Sequence, residues 1–595
     1  MSAHGHHPGS ADDRLGKVYD AEMFRRLWAY VRPHRTLVFV SFVIIFVLGA
    51  AQLVQPYLIR IAIDDHIGTR NSDGLGILAL WFGLALLGEF LLRWLQIYVL
   101  ERTGQNVVYD LRTDAFAHLQ RLPSSFFDRN PVGRLMTRVT SDVEAIHEVF
   151  TSGLVMILAD LVKVIGIVVI LLAMDWRLAL VTFAVIPPII FVTLQFRGRM
   201  RSAYRTVRGA IARLNAFLQE NVTGMRIVQM FGRENESAEA FAEINAEHRE
   251  AQLKAVVYES SFTSLAELVA AVALAVLLWA GGYGILAGMV TFGTLVAFIE
   301  YSAKFFRPVQ ELSQRYTVMQ AAMAAAERIF GLLDTEVSIK SSDGAIPVPE
   351  KLAGDIRFEN VTFGYDDERP VLKDVSFHIR PGERIGVVGW TGSGKTTLIR
   401  LLVRLYDVQQ GRILLDGVDI RKYRLRDLRR SIGIVLQDPF LFAGSVGGNI
   451  SLGDPTIGPD RVKAAARAVQ VDRFIETLPA GYDERIRERG SNLSVGEKQL
   501  LTFARAVAFD PGILVLDEAT ASVDPRTEQK IQLALATLLS DRTSILIAHR
   551  LATVRDADRI LVLHQGELRE QGTHEELLVL ENGIYRTLYA LQATA

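Results

Sequence analysis

Long apolar runs alternate with polar segments through the first half of the chain, and this pattern stops after about residue 320. A helix needs ~20 mostly apolar residues to cross a bilayer. Six runs approach this length and predict membrane spans near residues 37–61, 75–99, 147–174, 177–196, 262–285 and 290–311. We therefore expect an all-α membrane domain, followed by a domain of ordinary mixed composition.

The helical pattern continues beyond two of these spans. Residues 81–122 contain no proline, and the apolar run becomes amphipathic near Glu101. About 20 residues at ~1.5 Å each would carry this helix ~30 Å past the bilayer. Residues 197–219 extend the fourth span in the same way. Two short polar segments, 124–138 and 220–236, come at the tips of these helices, and each is either an ordinary loop or a docking point for a soluble domain.

Basic residues indicate the orientation of the spans. They cluster in residues 112–138 and 197–233, whereas the connections at 64–73 and 174–177 carry little positive charge. Cytoplasmic loops of membrane proteins carry an excess of Lys and Arg. The pattern predicts a multi-pass protein of the cell (inner) membrane, with its N-terminus and its second domain in the cytoplasm.

Ionisable residues inside the predicted spans are costly in lipid and suggest function. Their spacing predicts that Glu89 pairs with Arg93, and Asp160 with Lys163, along one face of a helix. These pairs are either structural or part of a substrate site. Two further carboxylates have no obvious partner within their own helix, and they could face a water-filled cavity that attracts cations: Glu267 and Glu300.

Composition narrows the class of protein. A chain of 595 residues is too long for one compact domain. The net charge of -1 argues against a nucleic-acid partner. There is no cysteine, which excludes disulfides, thiolate metal sites and cysteine nucleophiles. We predict a flexible tail over 1–18, a six-helix transmembrane domain with long cytosolic extensions over 19–330, a linker over 331–354 and a second domain over 355–595.

The second domain contains a glycine-rich loop between a strand and a helix. The buried-strand pattern of residues 384–388 runs into Gly389-Trp390-Thr391-Gly392-Ser393-Gly394-Lys395-Thr396, and a helical pattern follows from Thr397. This order is that of a phosphate-binding P-loop. Glycines let backbone N–H groups face the phosphates, and the helix N-terminus adds a positive dipole. Lys395 would supply a charge for the terminal phosphates, and the Thr396 hydroxyl is placed for magnesium.

A second strand pattern, residues 513–516, ends in the acids Asp517 and Glu518. A carboxylate at this position suits a magnesium site, and the next can orient or deprotonate an attacking water. Two acids after a strand could also cap the next helix. Together with the P-loop they predict ATP hydrolysis.

With these elements the chain resembles the ABC transporter superfamily, and within it the exporter branch, from about residue 20 to its end. Residues 492–499, NLSVGEKQ, resemble the family signature LSGGQ. In the family this loop closes on ATP held by a partner subunit, which implies nucleotide contacts for Ser494 and Gly496. Other residues match family positions: Tyr365 for stacking on adenine, Gln437 for magnesium, His549 for the γ-phosphate, 521–524 for the dimer interface and 487–490 for contact with the intracellular helix tips.

The resemblance implies a type I exporter fold, with the six-helix domain followed by an α/β P-loop ATPase domain. It also implies ATP and Mg²⁺ as cofactors, and Glu518, His549 and Lys395 as catalytic residues. The implied function is ATP-driven export of amphipathic small molecules, drugs or lipids by alternating access, in contact with membrane lipid. Three alternatives share these motifs: a lipid flippase, an importer built on the exporter fold, and a regulatory ATP sensor of another membrane protein.

Two departures from the signature bear on the partner. The loop reads LSVGE, with Val495 in place of glycine and Glu497 in place of glutamine. Heterodimeric exporters of the family include subunits that keep the catalytic glutamate but carry an altered signature. The resemblance therefore favours a heterodimer with a second ABC half-transporter in which this chain is the catalytically competent subunit, and a homodimer is the alternative.

Overall fold

The computed structural model describes residues 21–148, 154–366, 368–517, 525–539, 542–547, 551 and 554–593. These residues form two compact units. The first contains the described residues up to 117 and those from 136 to 334. The second contains residues 118–135 together with the described residues from 335 onward.

The helices of the first half are long, and several continue well past the length of a membrane span. In chain order they are α1 (Ala21–Val31), α2 (Arg35–Ile61), α3 (Leu75–Leu119), α4 (Ser124–Arg129), α5 (Val132–Thr137), α6 (Val143–Glu148), α7 (Leu154–Met174), α8 (Trp176–Phe183), α9 (Ile186–Thr223), α10 (Met225–Met230), α11 (Glu234–Leu286) and α12 (Phe292–Leu333).

Five helical stretches of the described chain are long and apolar enough to cross a membrane. They are Glu22–Ile67, Leu75–Leu119, Val155–Met174, Trp176–Thr223 and Glu234–Leu286. The sixth predicted span, 290–311, lies in the continuous helix α12 but is not among them. Its membrane-length portion carries Glu300, Lys304 and Arg307, and these charges lower its apolar character.

The predicted helical extensions are present in α3, which runs to Leu119, and in α9, which runs to Thr223. Helix α11 also extends beyond its predicted span, and it forms a pair of long rods with α9. Contacts between them recur along their length. Tyr204 donates a hydrogen bond to Glu259 at 2.8 Å, and Arg213 pairs with Glu247 at 2.7 Å. Two pairs of rings lie against each other on either side of these contacts, Phe196 with Phe262 and Phe217 with Phe241.

A polar network crosses three of the membrane helices. The Glu89 carboxylate on α3 accepts hydrogen bonds from the amides of Gln52 and Gln55 on α2. The Gln55 amide oxygen in turn accepts from Lys304 on α12 at 3.2 Å. The predicted pairing of Glu89 with Arg93 is therefore wrong: amides from another helix hold the carboxylate, and Arg93 is exposed.

The second predicted pair is confirmed and has a third member. Lys163 lies 3.6 Å from Asp160 one turn away on α7, and Arg315 of α12 approaches the same carboxylate at 3.1 Å. Two cations from different helices thus neutralise one partly buried acid. Glu267 and Glu300 are both exposed in the chain.

The second unit is built on β-sheets. Its strands are β1 (Ile356–Phe363), β2 (Leu372–Ile379), β3 (Arg384–Val388), β4 (Gln410–Leu415), β5 (Val418–Asp419), β6 (Ile432–Val435), β7 (Gly444–Ser445), β8 (Arg485–Ile486), β9 (Ile513–Asp517), β10 (Thr543–Ile547), β11 (Arg559–His564) and β12 (Glu567–Gly572). The main sheet has the order β12-β11-β3-β10-β9-β6, and an antiparallel sheet has the order β2-β1-β4-β5.

Helices cover the main sheet, whose central strands are parallel. Successive residues of β9 alternate between two hydrophobic clusters: Leu514 and Leu516 join one, and Ile513 and Val515 the other. Burial on both faces is typical of parallel strands covered by helices. The described helices of this unit, besides α4 and most of α5, are α13 (Lys395–Leu402), α14 (Leu425–Ser431), α15 (Val446–Ser451), α16 (Pro459–Ala468), α17 (Asp472–Thr477), α18 (Val495–Phe509), α19 (Pro525–Leu539), α20 (His574–Val579) and α21 (Ile584–Ala593).

The two short polar segments at the helix tips differ in their surroundings. Helix α4 and most of α5 belong to the second unit, in line with the docking interpretation of this segment. Helix α10, by contrast, lies in the first unit. The side chains of Ile227 and Met230 on α10 are exposed, and so is the ring of Phe231, which follows the helix.

Candidate nucleotide site

The glycine-rich loop leaves β3 and enters α13 in a conformation that depends on glycine. Gly392 and Gly394 have φ angles of +82° and +105°, which other residues rarely adopt. A Cβ on Gly394 would also approach a methyl group of Leu372 to 2.6 Å. The loop is therefore held by its backbone, with N–H groups at the start of a helix available for an anion.

Two side chains in this loop suit a phosphate ligand. Lys395 is 5% exposed, and its ammonium group donates to the carbonyls of Gly389 at 2.7 Å and Trp390 at 3.1 Å. The buried hydroxyl of Ser393 has no hydrogen-bond partner among the described residues. A buried polar group without a partner is costly. A phosphate bound in the loop would satisfy this hydroxyl and neutralise the lysine.

Strand register brings the predicted metal residues to the same sheet edge as the P-loop. Asp517, the last residue of β9, is paired with Ile547 of β10, and Ile547 is paired with Val387 of β3. Val435 at the end of β6 pairs with Leu516 of β9. Gln437 comes two residues after the end of β6, so it follows the carboxyl end of the strand next to β9. The carboxyl ends of these parallel strands therefore surround the start of α13. Asp517 is 8% exposed there.

Two predicted catalytic residues, Glu518 and His549, lie outside the described residues, as does the predicted dimer-interface segment 521–524. In the sequence, Glu518 immediately follows the end of β9, and His549 comes two residues after the end of β10.

Tyr365 lies beside the P-loop helix in a cluster of aromatic rings. Its hydroxyl is 3.2 Å from the Thr397 hydroxyl and accepts a hydrogen bond from Arg400 at 3.1 Å. Phe363 and Tyr406 both meet its ring edge-on, at centroid distances of 5.2 Å. The sequence analysis did not identify Arg400 and Tyr406 as site residues. The available signal was their position, since Arg400 lies on the P-loop helix α13 and Tyr406 lies just after it.

The signature residues cap helix α18. The Ser494 hydroxyl accepts the N–H of Glu497 at 3.3 Å, and the Glu497 carboxylate accepts the N–H of Ser494 at 2.8 Å. This reciprocal pair is a capping box. Gly496 is buried in the first turn, and Val495 is half-exposed. Within the described chain, no hydrogen bond joins Ser494 or Gly496 to the P-loop of the same chain.

A helical unit with membrane-spanning helices and an α/β unit with a phosphate-binding loop together define an ATP-powered membrane transporter. Comparison with known proteins supports this class. Residues 38–309 match the family described as ABC transporter transmembrane region, and residues 372–521 match the family described as ABC transporter.

Individual relatives match over nearly the whole chain. YknV, an uncharacterized ABC transporter ATP-binding protein of Bacillus subtilis (strain 168), is 40% identical over 98% of this chain and 96% of its own length. An ATP-dependent lipid A-core flippase of Syntrophus aciditrophicus (strain SB) is 36% identical, over 96% of this chain and 94% of its own. The ATP-bound structure of a bacterial Atm1-family ABC exporter superimposes with a TM-score of 0.76 at 30% identity, covering 94% of this chain and 98% of that one.

The chain belongs to the ABC transporter family. It has the type I exporter fold that the sequence predicted, with a helical membrane domain followed by an ATPase domain, and it is an ATP-hydrolysing transporter of the exporter type.

Proposed function

We propose that this chain is one half of a dimeric exporter that uses ATP to move amphipathic small molecules, drugs or lipids out of the cell membrane. The observation that carries the proposal is the P-loop, where the buried Lys395 and the Ser393 hydroxyl, which has no partner among the described residues, suit a phosphate in a chain that also has helices long and apolar enough to cross a membrane. A lipid cargo is the favoured case within this class, because a lipid A-core flippase is similar over almost the full length.

The residues of the site suit the proposed nucleotide chemistry. Tyr365 offers a ring for adenine, the loop from Gly389 to Thr397 offers N–H groups for phosphate, and Lys395 offers positive charge. Thr396, Gln437 and Asp517 carry oxygen donors, which are the ligands that Mg²⁺ prefers. When bound, the metal would neutralise charge on the terminal phosphates. We assign Glu518 to orienting the attacking water, and His549 to stabilising charge on the γ-phosphate.

In the proposed dimer, the signature loop at each P-loop comes from the other subunit. In the described residues, no hydrogen bond joins Ser494 or Gly496 to the P-loop of the same chain, which supports the use of this signature by a partner. In this arrangement Ser494 and Gly496 face ATP on the other subunit. Both ATPase domains lie in the cytoplasm, and the spans cross the cell membrane.

The form of the altered signature favours a heterodimer. The Glu497 carboxylate folds back onto the Ser494 N–H and so lies at the helix N-terminus that would receive the partner's γ-phosphate. An anion already held there opposes a second one. The ATP site that this signature completes would therefore close weakly, whereas the site built on this chain's own P-loop is the working one.

ATPase turnover in lipid tests this proposal. The purified chain is assayed in proteoliposomes alone and with its candidate half-transporter partner, with Glu518→Gln as the inactive control. Activity that requires the partner and disappears with Glu518→Gln supports a heterodimer in which this chain is catalytic. Full turnover by the chain alone would show that LSVGE works in a homodimer. Labelled lipid accessibility in the same vesicles tests transport.

A further inference from the structure

Amide groups bridge a carboxylate and an ammonium group among the membrane helices. Glu89 on α3 accepts hydrogen bonds from Gln52, at 2.8 Å, and from Gln55, both on α2. Lys304 on α12 donates to the amide oxygen of Gln55 at 3.2 Å and to the backbone carbonyl of Gln52 at 2.9 Å. Each charged residue lies ~20 Å from the start of its helix, at ~1.5 Å per residue. That position is well inside a hydrocarbon layer ~30 Å thick.

The two charges are held apart instead of being paired. In the described chain no ion pair joins Glu89 to Lys304, and the buried amide of Gln55 bonds to both of them. Asp160 in the same domain shows the direct alternative, since its carboxylate lies 3.6 Å from Lys163 and 3.1 Å from Arg315. A charge inside a membrane span is costly and marks a functional site by default. The separated pair is therefore the stronger candidate for binding a ligand.

Both charged groups keep hydrogen-bonding capacity for such a ligand. An ammonium group has three donors, and two of those on Lys304 have acceptors among the described residues. An ionised carboxylate has about four lone-pair sites, and side chains of the described chain use two of those on Glu89. Both residues are partly exposed. One molecule that carries an anion and an N–H donor close together can thus satisfy both groups at once.

We propose that Glu89, Gln55 and Lys304 form a binding site for a zwitterionic lipid headgroup, with its phosphate on Lys304 and its primary amine on Glu89. The inference rests on the proposed lipid transport and names the class of lipid. Phosphatidylethanolamine carries both groups. Phosphatidylglycerol has no amine, and the quaternary ammonium of phosphatidylcholine has no N–H to donate to a carboxylate. A charge-assisted hydrogen bond is stronger than a neutral one, so the site should select the primary amine.

Competition binding to the full-length chain in detergent, read by native mass spectrometry without ATP, tests the proposal. The probes are phosphatidylethanolamine, phosphatidylglycerol and phosphatidylcholine with identical acyl chains, mixed in equal amounts. Wild type should retain phosphatidylethanolamine about fivefold over each of the others, the effect of one hydrogen bond. Glu89→Gln should lower phosphatidylethanolamine to the level of phosphatidylcholine. Lys304→Met should weaken all three lipids alike, because each carries the phosphate.

Asp160→Asn is the matched control for Glu89→Gln. It also replaces an acid of the membrane helices by its amide, but this acid is already paired with Lys163 and Arg315. Its preference for phosphatidylethanolamine should equal that of wild type. The readout is a ratio between lipids on the same protein, so partial loss of folded protein does not alter it.

Two results would overturn the headgroup site: no preference in wild type, or the wild-type preference in Glu89→Gln. Soluble glycerophosphoethanolamine that competes as strongly as the lipid would also overturn it, by assigning the site to a free zwitterion. ATP-driven movement of acyl-labelled lipids in proteoliposomes separates this inference from the proposed function. Selective binding without movement contradicts lipid transport alone. Movement of all three lipids without selective binding contradicts the headgroup site alone.

Discussion

The carboxylate of Asp64 accepts the backbone N–H of Gly293 at 2.7 Å and the hydroxyl of Thr291 at 2.5 Å. Asp64 lies just after α2, and Gly293 lies in the first turn of α12. A side chain therefore caps a helix that is more than 220 residues away in sequence. The approach is so close that a Cβ on Gly293 would lie 2.6 Å from the carbonyl oxygen of Arg60.

Removal of this cap should destabilise the membrane domain. Asp64→Ala is expected to cost ~1–2 kcal/mol, because two donors at the start of α12 lose a charged acceptor. Thermal unfolding in detergent measures the effect as a lower midpoint. Asp65→Ala is the matched control, since that side chain is exposed. Equal midpoints for the two variants would contradict the prediction.

The Gln55 bridge should be sensitive to loss of its amide. Gln55→Leu leaves Glu89 with one fewer donor and Lys304 with one fewer acceptor, at an expected cost of ~1–3 kcal/mol. The midpoint of thermal unfolding should fall, whereas Gln229→Leu at an exposed position on α10 should leave it unchanged. If both variants unfold at the wild-type temperature, the network does not stabilise the helices.

Glu497→Gln separates the capping role of this residue from its charge. Glutamine also completes a capping box, so the unfolding midpoint should not change. Without the anion, the ATP concentration that half-fills the site completed by this signature should fall about fivefold, since ~1 kcal/mol is the scale of two exposed charges at close range. Glu497→Ala should lower that concentration as well but also reduce stability. An unchanged ATP dependence in Glu497→Gln would mean that the charge does not oppose phosphate.

Loss of the Lys395 ammonium should abolish turnover. Lys395→Ala is expected to lower ATP hydrolysis at least ~100-fold, the usual effect of removing a group that stabilises charge in the transition state. Lys463→Ala removes the same type of side chain from an exposed position on α16 and should retain full activity. The measurement is phosphate release in proteoliposomes at saturating ATP.

The parts of the fold that depend on local pattern were predictable from the sequence. Apolar runs of membrane length mark the spans, and the strand, glycine-rich loop and Lys395 mark the phosphate site. These signals are local because period, length and turn chemistry are properties of consecutive residues. The extensions of α3 and α9 were likewise visible as helical patterns without a break at the membrane surface, whereas that of α11 was not predicted.

The polar contacts between distant helices were not predictable. Spacing along α3 pointed to Arg93 as the partner of Glu89, whereas the carboxylate is held by two glutamines of α2. Nothing in the sequence near Asp64 indicates Gly293 as a partner. Such pairs form only when helices from separate parts of the chain are packed together, so the partners cannot be identified from the local sequence around either residue.

The length of the paired rods α9 and α11 has a mechanical consequence. Helix α11 has 53 residues, which corresponds to ~80 Å at ~1.5 Å each. Its contacts with α9, from Phe196–Phe262 to Phe217–Phe241, hold the two helices together as one rigid pair. The tip at α10 is ~60 Å from the middle of the span. A tilt of about 5° there swings the tip by ~5 Å. The helix pair thus acts as a lever, because a small rotation among packed helices displaces the tip at α10 by about the length of a side chain.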